Sequence, residues 1–257
     1  MKKITALALA LCLLLACSAA FAATPGEVVG TWYCQSMTDT SFEFGAGVPT
    51  GDYRLELNRD GTALLVCDGQ ERNYAWEVTE KGVDLKPVSE YEATYQNYWY
   101  YSMTLNEDGT LTIDSVQDFS SEEGHYYDFT MGREAVDTSL PAKVAAEKED
   151  DFYGEWIAAV IAQDGFLFDV SAMNFHAKVE FAQVTFTAGD SEPVVVMTEF
   201  KDGMLTCDGR AFDYRADKAT FELAEMKGTV CATFTGEGEE IYTVYLVNPE
   251  TFGTDAE

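Results

Sequence analysis

Positive charge is scarce in this chain. Sixteen Lys and Arg stand against 45 Asp and Glu, for a net charge of −29. So acidic a surface is repelled by phosphate backbones and anionic headgroups, which excludes nucleic acid and anionic membrane surfaces as partners. Histidine occurs only at His125 and His176, and neither sits in an H-E-x-x-H or comparable spacing. C-x-x-C is missing, so a zinc or thioredoxin-type site has no basis. The G-x-S-x-G elbow of a Ser-His triad is missing too. Beyond the first residues, no apolar run approaches the roughly 20 needed to span a bilayer. Helical periodicity is nearly absent after the same point. These gaps leave no catalytic residue, cofactor or metal site to assign, and the chain reads as non-enzymatic.

Apolar residues make up 47 % of the chain and aromatics 13 %, which excludes general disorder. The start reads as a leader: Lys2 and Lys3, then an apolar run from Ile4 to Ala16 interrupted only by Thr5. Two processing sites compete within residues 1–22. Ala20-Phe21-Ala22 fits an A-x-A site with cleavage before Ala23, the favoured reading. Leu14-Leu15-Ala16-Cys17-Ser18 fits a lipobox that would leave Cys17 lipidated. Either route places the protein outside the cytoplasm, secreted or lipid-anchored at a bacterial cell envelope. Membrane contact would then come only through the leader or that anchor. Removing the leader takes two lysines and no acids, leaving 14 basic residues against 45 acidic.

The remainder alternates with period two. Tyr53, Leu55 and Leu57 face one way and Arg54 and Glu56 the other. Tyr74, Trp76 and Val78 repeat this, as do Leu111 and Ile113, and Tyr127, Phe129 and Met131. Val179 and Phe181, Phe221 and Leu223, and Ile241, Thr243, Tyr245 and Val247 follow. Between such runs fall Asp60-Gly61, Asp68-Gly69, Asp108-Gly109, Glu123-Gly124, Asp202-Gly203 and Asp208-Gly209, pairs that suit tight turns requiring φ > 0. The expected class is all-β, an antiparallel meander. Asn106-Glu107-Asp108-Gly109 lacks the spacing of a calcium loop and reads as a hairpin turn.

Landmarks occur twice in the same order. Gly30-Thr31-Trp32 and Gly154-Glu155-Trp156 open apolar strands. Asp60-Gly61 to Cys67-Asp68-Gly69 resembles Asp202-Gly203 to Cys207-Asp208-Gly209, each with a Tyr five residues on, Tyr74 and Tyr214. Last strands end near Arg133-Glu134 and Pro249-Glu250. The expected organisation is one β-domain over 27–135, a linker over 136–151, a second over 152–250 and a tail over 251–257. Each domain is long enough to close its own core. Residues 163–176 read as a connection after the second domain's first strand.

With Gly-x-Trp openings and the hairpin Leu55-Glu56-Leu57-Asn58-Arg59-Asp60-Gly61-Thr62, the chain resembles tandem lipocalin-like (calycin-type) domains of exported bacterial proteins. The resemblance covers most of 27–135 and, more loosely, 152–250. It implies two tandem small antiparallel β-barrels, each with its Trp (Trp32, Trp156) plugging one end and Gly30 or Gly154 opening the strand. It further implies an Arg over the Trp. Arg133 fits that role in the first domain, whereas the second has Asn248-Pro249-Glu250. Eight-stranded barrels are just wide enough to be filled by side chains or to hold one small ligand, and the short strands favour filling.

Four cysteines follow the leader: Cys34, Cys67, Cys207 and Cys231. Two alternatives stand. They form disulfides, with Cys34–Cys67 and Cys207–Cys231 the local choice, or they are buried free thiols. Against a shared staple, the repeat makes Cys67 and Cys207 equivalent but not Cys34 and Cys231.

One stretch has ligand potential. Tyr91, Tyr95, Tyr98, Trp99, Tyr100 and Tyr101 crowd a strand and its approach, and His125, Tyr126 and Tyr127 lie on a later one. Aromatics on both strand faces suit packing within the fold, or contact with a small apolar ligand, a sugar ring or a protein partner. The second domain has no equal run, so binding is expected in the first. The leading function is a non-catalytic binding module for an apolar or aromatic ligand or a partner. The alternative is a structural envelope protein with filled barrels, and the outsider is a carboxylate-dependent exported hydrolase, for which 45 acids offer no distinctive pair.

Overall fold

Alternating apolar residues separated by residues able to take φ > 0 produce strands and turns almost throughout. The computed structural model describes residues 24–39, 42, 44–89, 99–117 and 126–250. The leader with Cys17, the aromatic residues Tyr91, Tyr95 and Tyr98, Glu123-Gly124, His125 and the tail lie outside them. No described helix is long and apolar enough to cross a membrane. Contacts divide the chain into two compact units. The first holds residues up to Ser41 and Gly51–Val136; the second holds Phe42–Thr50 and the chain from Asp137 on.

The first unit contains β1 (Gly30–Thr38), β3 (Arg54–Leu57), β4 (Thr62–Cys67), β5 (Gln70–Val78), β6 (Gly82–Pro87), β7 (Tyr101–Leu105), β8 (Leu111–Gln117) and β9 (Tyr126–Gly132). Each pairs antiparallel with the next, and β9 returns to β1, so eight strands form a closed barrel. Inward positions carry Leu55, Leu65, Tyr74, Leu85, Met103, Ile113, Phe129 and Met131, all at most 2 % exposed. Burying each such side chain contributes about 1.5–3 kcal/mol, and large residues occupy these described inward positions.

Two hairpins of this barrel share one turn. In Asn58–Thr62 the Asp60 carboxylate accepts from the Thr62 amide (3.0 Å) and hydroxyl (2.7 Å), while the Gly61 amide returns to the Asn58 carbonyl. Asn106–Thr110 repeats this around Asp108 with the same two distances. Gly61 and Gly109 have φ of +84° and +83°, which a β-carbon would strain. Hydrogen bonds from the Thr hydroxyls hold both Asp carboxyls below their usual range.

The second unit contains β2 (Gly47–Pro49), β10 (Lys143–Val144), β11 (Gly154–Gln163), β12 (Phe166–Asp169), β13 (Phe175–Glu180), β14 (Gln183–Ala188), β15 (Val194–Met197), β16 (Glu199–Lys201), β17 (Met204–Asp208), β18 (Lys218–Ala224), β19 (Thr229–Gly236) and β20 (Glu239–Val247). Pairing runs β11–β13–β14–β15, resumes after Thr198 as β16–β17–β18–β19–β20, and returns to β11. This is the strand order of the first unit, with β5 replaced by two short strands. β12 is an added hairpin strand on β11, and β2 pairs on its other edge. Parts of residues 136–151 are paired or turned. Residues 143–144 pair with β18, the Ala146 amide bonds the Gly203 carbonyl, and Glu149–Phe152 forms a 3-10 turn. Both faces of β19 and much of β20 are buried. The outer face holds a small cluster of Ala224, Cys231 and Tyr245, with Val160 and Ala162 packed against it.

Several turns match expectation: Asp60-Gly61, Asp68-Gly69, Asp108-Gly109 and Asp202-Gly203 all join paired strands. Asp208-Gly209 does not. It opens a 3-10 turn that the Asp208 side chain caps at the Arg210 amide. Nor is Phe181 a strand residue; it sits in the β13–β14 turn, 76 % exposed.

Register also corrects the internal repeat. Asp60-Gly61 joins the barrel's second and third strands, whereas Asp202-Gly203 joins its fourth and fifth. Cys207 therefore corresponds to Leu85, not Cys67, and the exposed Tyr214 has no likeness to the buried Tyr74. The disulfide alternative is corrected as well: all four cysteines are buried and none is in a disulfide. Cys34 on β1 and Cys67 on β4 have β3 between them, and Cys207 on β17 and Cys231 on β19 have β18 between them. Two strand spacings are about 9.5 Å, beyond the roughly 7 Å limit for a disulfide.

The Gly-x-Trp openings correspond closely. Gly30 and Gly154 have φ of +124° and +139°. A helical turn precedes each, α1 (Pro25–Val28) in the first unit and Glu149–Phe152 in the second. Trp32 donates its indole N–H to the Val28 carbonyl (2.8 Å), and Trp156 donates to Phe152 (2.9 Å). Each opening strand slips register against the last strand at the same offset, Cys34/Ser36 and Ala158/Val160. The Arg133 guanidinium lies 3.6 Å from the Trp32 ring centroid and donates to the carbonyls of Glu27 and Thr31.

Candidate functional site: an apolar cavity in the second unit

The aromatic group expected to bind in the first unit is divided by the fold. Tyr101 starts β7 pointing inward, 4 % exposed, with its ring 5.9 Å from Tyr74. Trp99 and Tyr100 precede the strand at 49 % and 67 % exposure, and Tyr126 is also exposed. Trp99 donates its indole N–H to Gln117 at 2.6 Å. Tyr127 stacks on Phe129. These residues do not converge on one described recess.

A different cavity lies in the second unit, with a volume of about 410 Å³. Ala158 and Ile161 of β11, Phe234 of β19, and Tyr242 and Val244 of β20 form its wall. Phe175 of β13, Ala188 and Gly189 at the end of β14, and Phe212 continue it. Val170, Met173 and Phe44 complete the lining. Its rings are close: Phe186–Phe212 centroids are 3.9 Å apart, Phe234–Tyr242 4.7 Å and Phe175–Phe186 5.5 Å.

Register allows the interiors of the two units to be compared position by position. Positions equivalent by strand pairing are Phe129 and Val244, Ile113 and Ala232, Leu55 and Ala177, and Tyr74 and Val196. In each pair the second unit has the smaller residue. Larger residues at Phe186 (for Leu65) and Phe234 (for Val116) refill part of the volume. An apolar void in a core forfeits contacts and stability.

One polar spot borders the cavity. The Asp213 carboxylate, adjacent to Phe212 and 10 % exposed, takes bonds from Arg215 Nε at 3.0 Å and Nη2 at 2.7 Å. Arg215 foremost, and the Tyr242 hydroxyl that also donates to it, hold this carboxyl below its usual range. Among the described residues the lining has no carboxylate, imidazole or thiol, and the Tyr242 phenol is its one proton-exchanging group. Such a wall can exclude water, stack rings and orient one polar group. Among the described residues no group of three His, Cys, Asp or Glu is placed to hold a metal ion.

A second recess, about 540 Å³, lies at the first unit's Trp32 end and is lined by Glu27, Leu105, Asn106, Glu107, Gly109 and Arg133 besides Trp32. Its walls are polar and mixed in charge. Burial pushes the Cys34 and Cys207 thiols up to about 12 and Cys231 to about 11, so none of the three is a ready nucleophile.

Comparisons with known proteins add little. The chain matches no protein-family model. Among curated proteins no relative matches either. A solved structure, that of "a putative outer membrane protein" from Bacteroides fragilis, aligns over 87 % of this chain and 98 % of its own, at 14 % identity and a TM-score of 0.26. That score is below the level at which two chains share a fold.

Sequence reasoning missed the cavity because its residues come from segments far apart in the chain with no common motif. The signal present, a run of small inward residues at Ala158, Ala177, Ala188 and Ala232, becomes readable only once strand register is known.

Proposed function

We propose that this protein is an extracytoplasmic, non-catalytic binding protein of two tandem lipocalin-like barrels, in which the second holds a small apolar or aromatic ligand. The apolar cavity of the second unit carries the reading. Its volume lies within the range of small-molecule sites, and it combines an apolar wall with few polar groups, as such sites do. The shared strand order, the Trp-capped ends and Arg133 over Trp32 support the tandem lipocalin-like part. The leader supports an exported protein, secreted or anchored through Cys17, and the net charge of −29 suits a soluble surface.

Titration with the neutral fluorophore N-phenyl-1-naphthylamine, with native mass spectrometry of the protein as purified, tests this. Saturable enhancement at one site is expected, and Val244→Phe, which brings in the first unit's residue, should weaken it at least ~10-fold by filling the space. No binding by wild type in either measurement would sink the ligand reading. For the first unit the filled interior favours the other reading, a stable acidic surface module with no ligand of its own.

A further inference from the structure

We propose that β2 and Phe44 form a gate over the second unit's cavity, and that ligand exchange requires β2 to leave β12. The proposal rests on the ligand reading above and adds the route by which the site is reached.

The gate comes from an unexpected part of the chain. Residues 42–50 lie in sequence between β1 and β3, the position that β12 and the 3-10 turn Ser171–Met173 occupy between β11 and β13. Both connections belong to the second unit, so its cavity is bordered by Val170 and Met173 from one and by Phe44 from the other.

The attachment is specific but short. Pro49, Val48 and Gly47 pair with Phe166, Leu167 and Phe168. The Thr50 amide and hydroxyl both donate to the Gly165 carbonyl, at 2.8 and 2.9 Å. Phe42 packs on Phe166 and Phe168 with centroids 4.9 and 5.3 Å away, and Phe44 lies 5.6 Å from Phe168. At Gly47 a β-carbon would meet the Phe168 ring at 2.7 Å, so the close approach of backbone to ring requires glycine. These contacts set one seated position for Phe44.

They are also few enough to release. β2 is three residues long, and Pro49 lacks an amide N–H. Segments with so few backbone bonds open at far lower free energy than the barrel around them. The barrel keeps its closure when β2 leaves, because β12 remains paired with β11 at four positions, Val160 to Gln163. Gly45, at φ +86°, and Gly51 bracket the strand as pivots.

A cross-link separates the gate from the site. Val48 and Leu167 are direct partners, so Val48→Cys with Leu167→Cys places two thiols at disulfide range. Exchange of N-phenyl-1-naphthylamine is followed by stopped flow in the full chain, oxidised and reduced, with a thermal melt as the folding control. Oxidation should slow binding and release together by at least ~10-fold, reversed by dithiothreitol, whereas Phe44→Ala should speed release by a similar factor. Saturable probe binding with the same exchange rates in oxidised, reduced and Phe44→Ala proteins would overturn the gate and leave the ligand site standing. Failure of the probe to bind any of these forms would overturn the site and the gate with it.

Discussion

The two units use one strand order for two interiors. In the first, Phe129, Ile113, Leu55 and Tyr74 are buried inside a closed barrel. In the second, the smaller Val244, Ala232, Ala177 and Val196 stand at the same places, and Val244 lines a cavity of about 410 Å³. The difference lies in side-chain volume at a few inward positions, since strand order, opening glycine, capping tryptophan and register slip are common to both. What the smaller residues forfeit in packing must be recovered from elsewhere in the unit or from a ligand.

Losing either capping tryptophan should have the largest effect. Trp32→Ala and Trp156→Ala each remove a buried indole and its hydrogen bond to the preceding turn, which should cost about 3–5 kcal/mol. Urea unfolding followed by circular dichroism should show one transition moving to lower urea in each variant. Unchanged transitions in both would break the correspondence of the two closed ends.

Exchanging interiors is the next test. Phe129→Val should destabilise the first unit by about 2–3 kcal/mol by opening a void in a packed core. Val244→Phe should destabilise the second far less, because the ring enters existing space. Equal losses from the two substitutions would remove the distinction between filled and open interiors.

Arg133 marks a smaller asymmetry, since Asn248 takes its place in the second unit. Arg133→Met should lower stability by about 1 kcal/mol through loss of the stacked cation over Trp32. It should also blue-shift or quench tryptophan emission by changing that ring's surroundings. Asn248→Met should do neither.

The smallest effect concerns alkali. Cys34 and Cys207 have thiols raised by burial to about 12 from an ordinary 9. In the unfolded chain they ionise near pH 9 while the folded state keeps them neutral, so the stability they supply is full below pH 9 and is lost as pH rises toward 12. Thiol labelling at pH 8 should be slow for all four buried cysteines and become fast on denaturation. Rapid labelling of the native protein would show an opening that the buried positions do not predict.

Much of the architecture was legible in local pattern. Tyr53, Leu55 and Leu57 alternate because a pleated strand shows one face to the core, and Asp-Gly pairs turn the chain because both positions accept φ > 0. Leu55 to Thr62 could be read as a hairpin from eight residues alone, and the structure adds that Asn106 to Thr110 repeats its turn bond for bond. Asp208-Gly209 misled because the same dipeptide also caps a short helical turn. The described aromatics of the first unit divide between core and surface. A count of rings along a strand carries no information on which are buried, and Tyr101 and Tyr100 are neighbours with opposite fates.

By itself the sequence determined strand character, the places of the turns and the two Gly-x-Trp openings, because each depends on residues only a few positions apart. Tertiary structure alone decided the true register of the repeat, the separation of Cys34 from Cys67 by an intervening strand, the placement of residues 42–50 in the second unit, and which interior stays open. Those outcomes depend on volumes and pairings summed over residues far apart in the chain, such as Phe44, Ala158 and Val244, and no local pattern carries that sum.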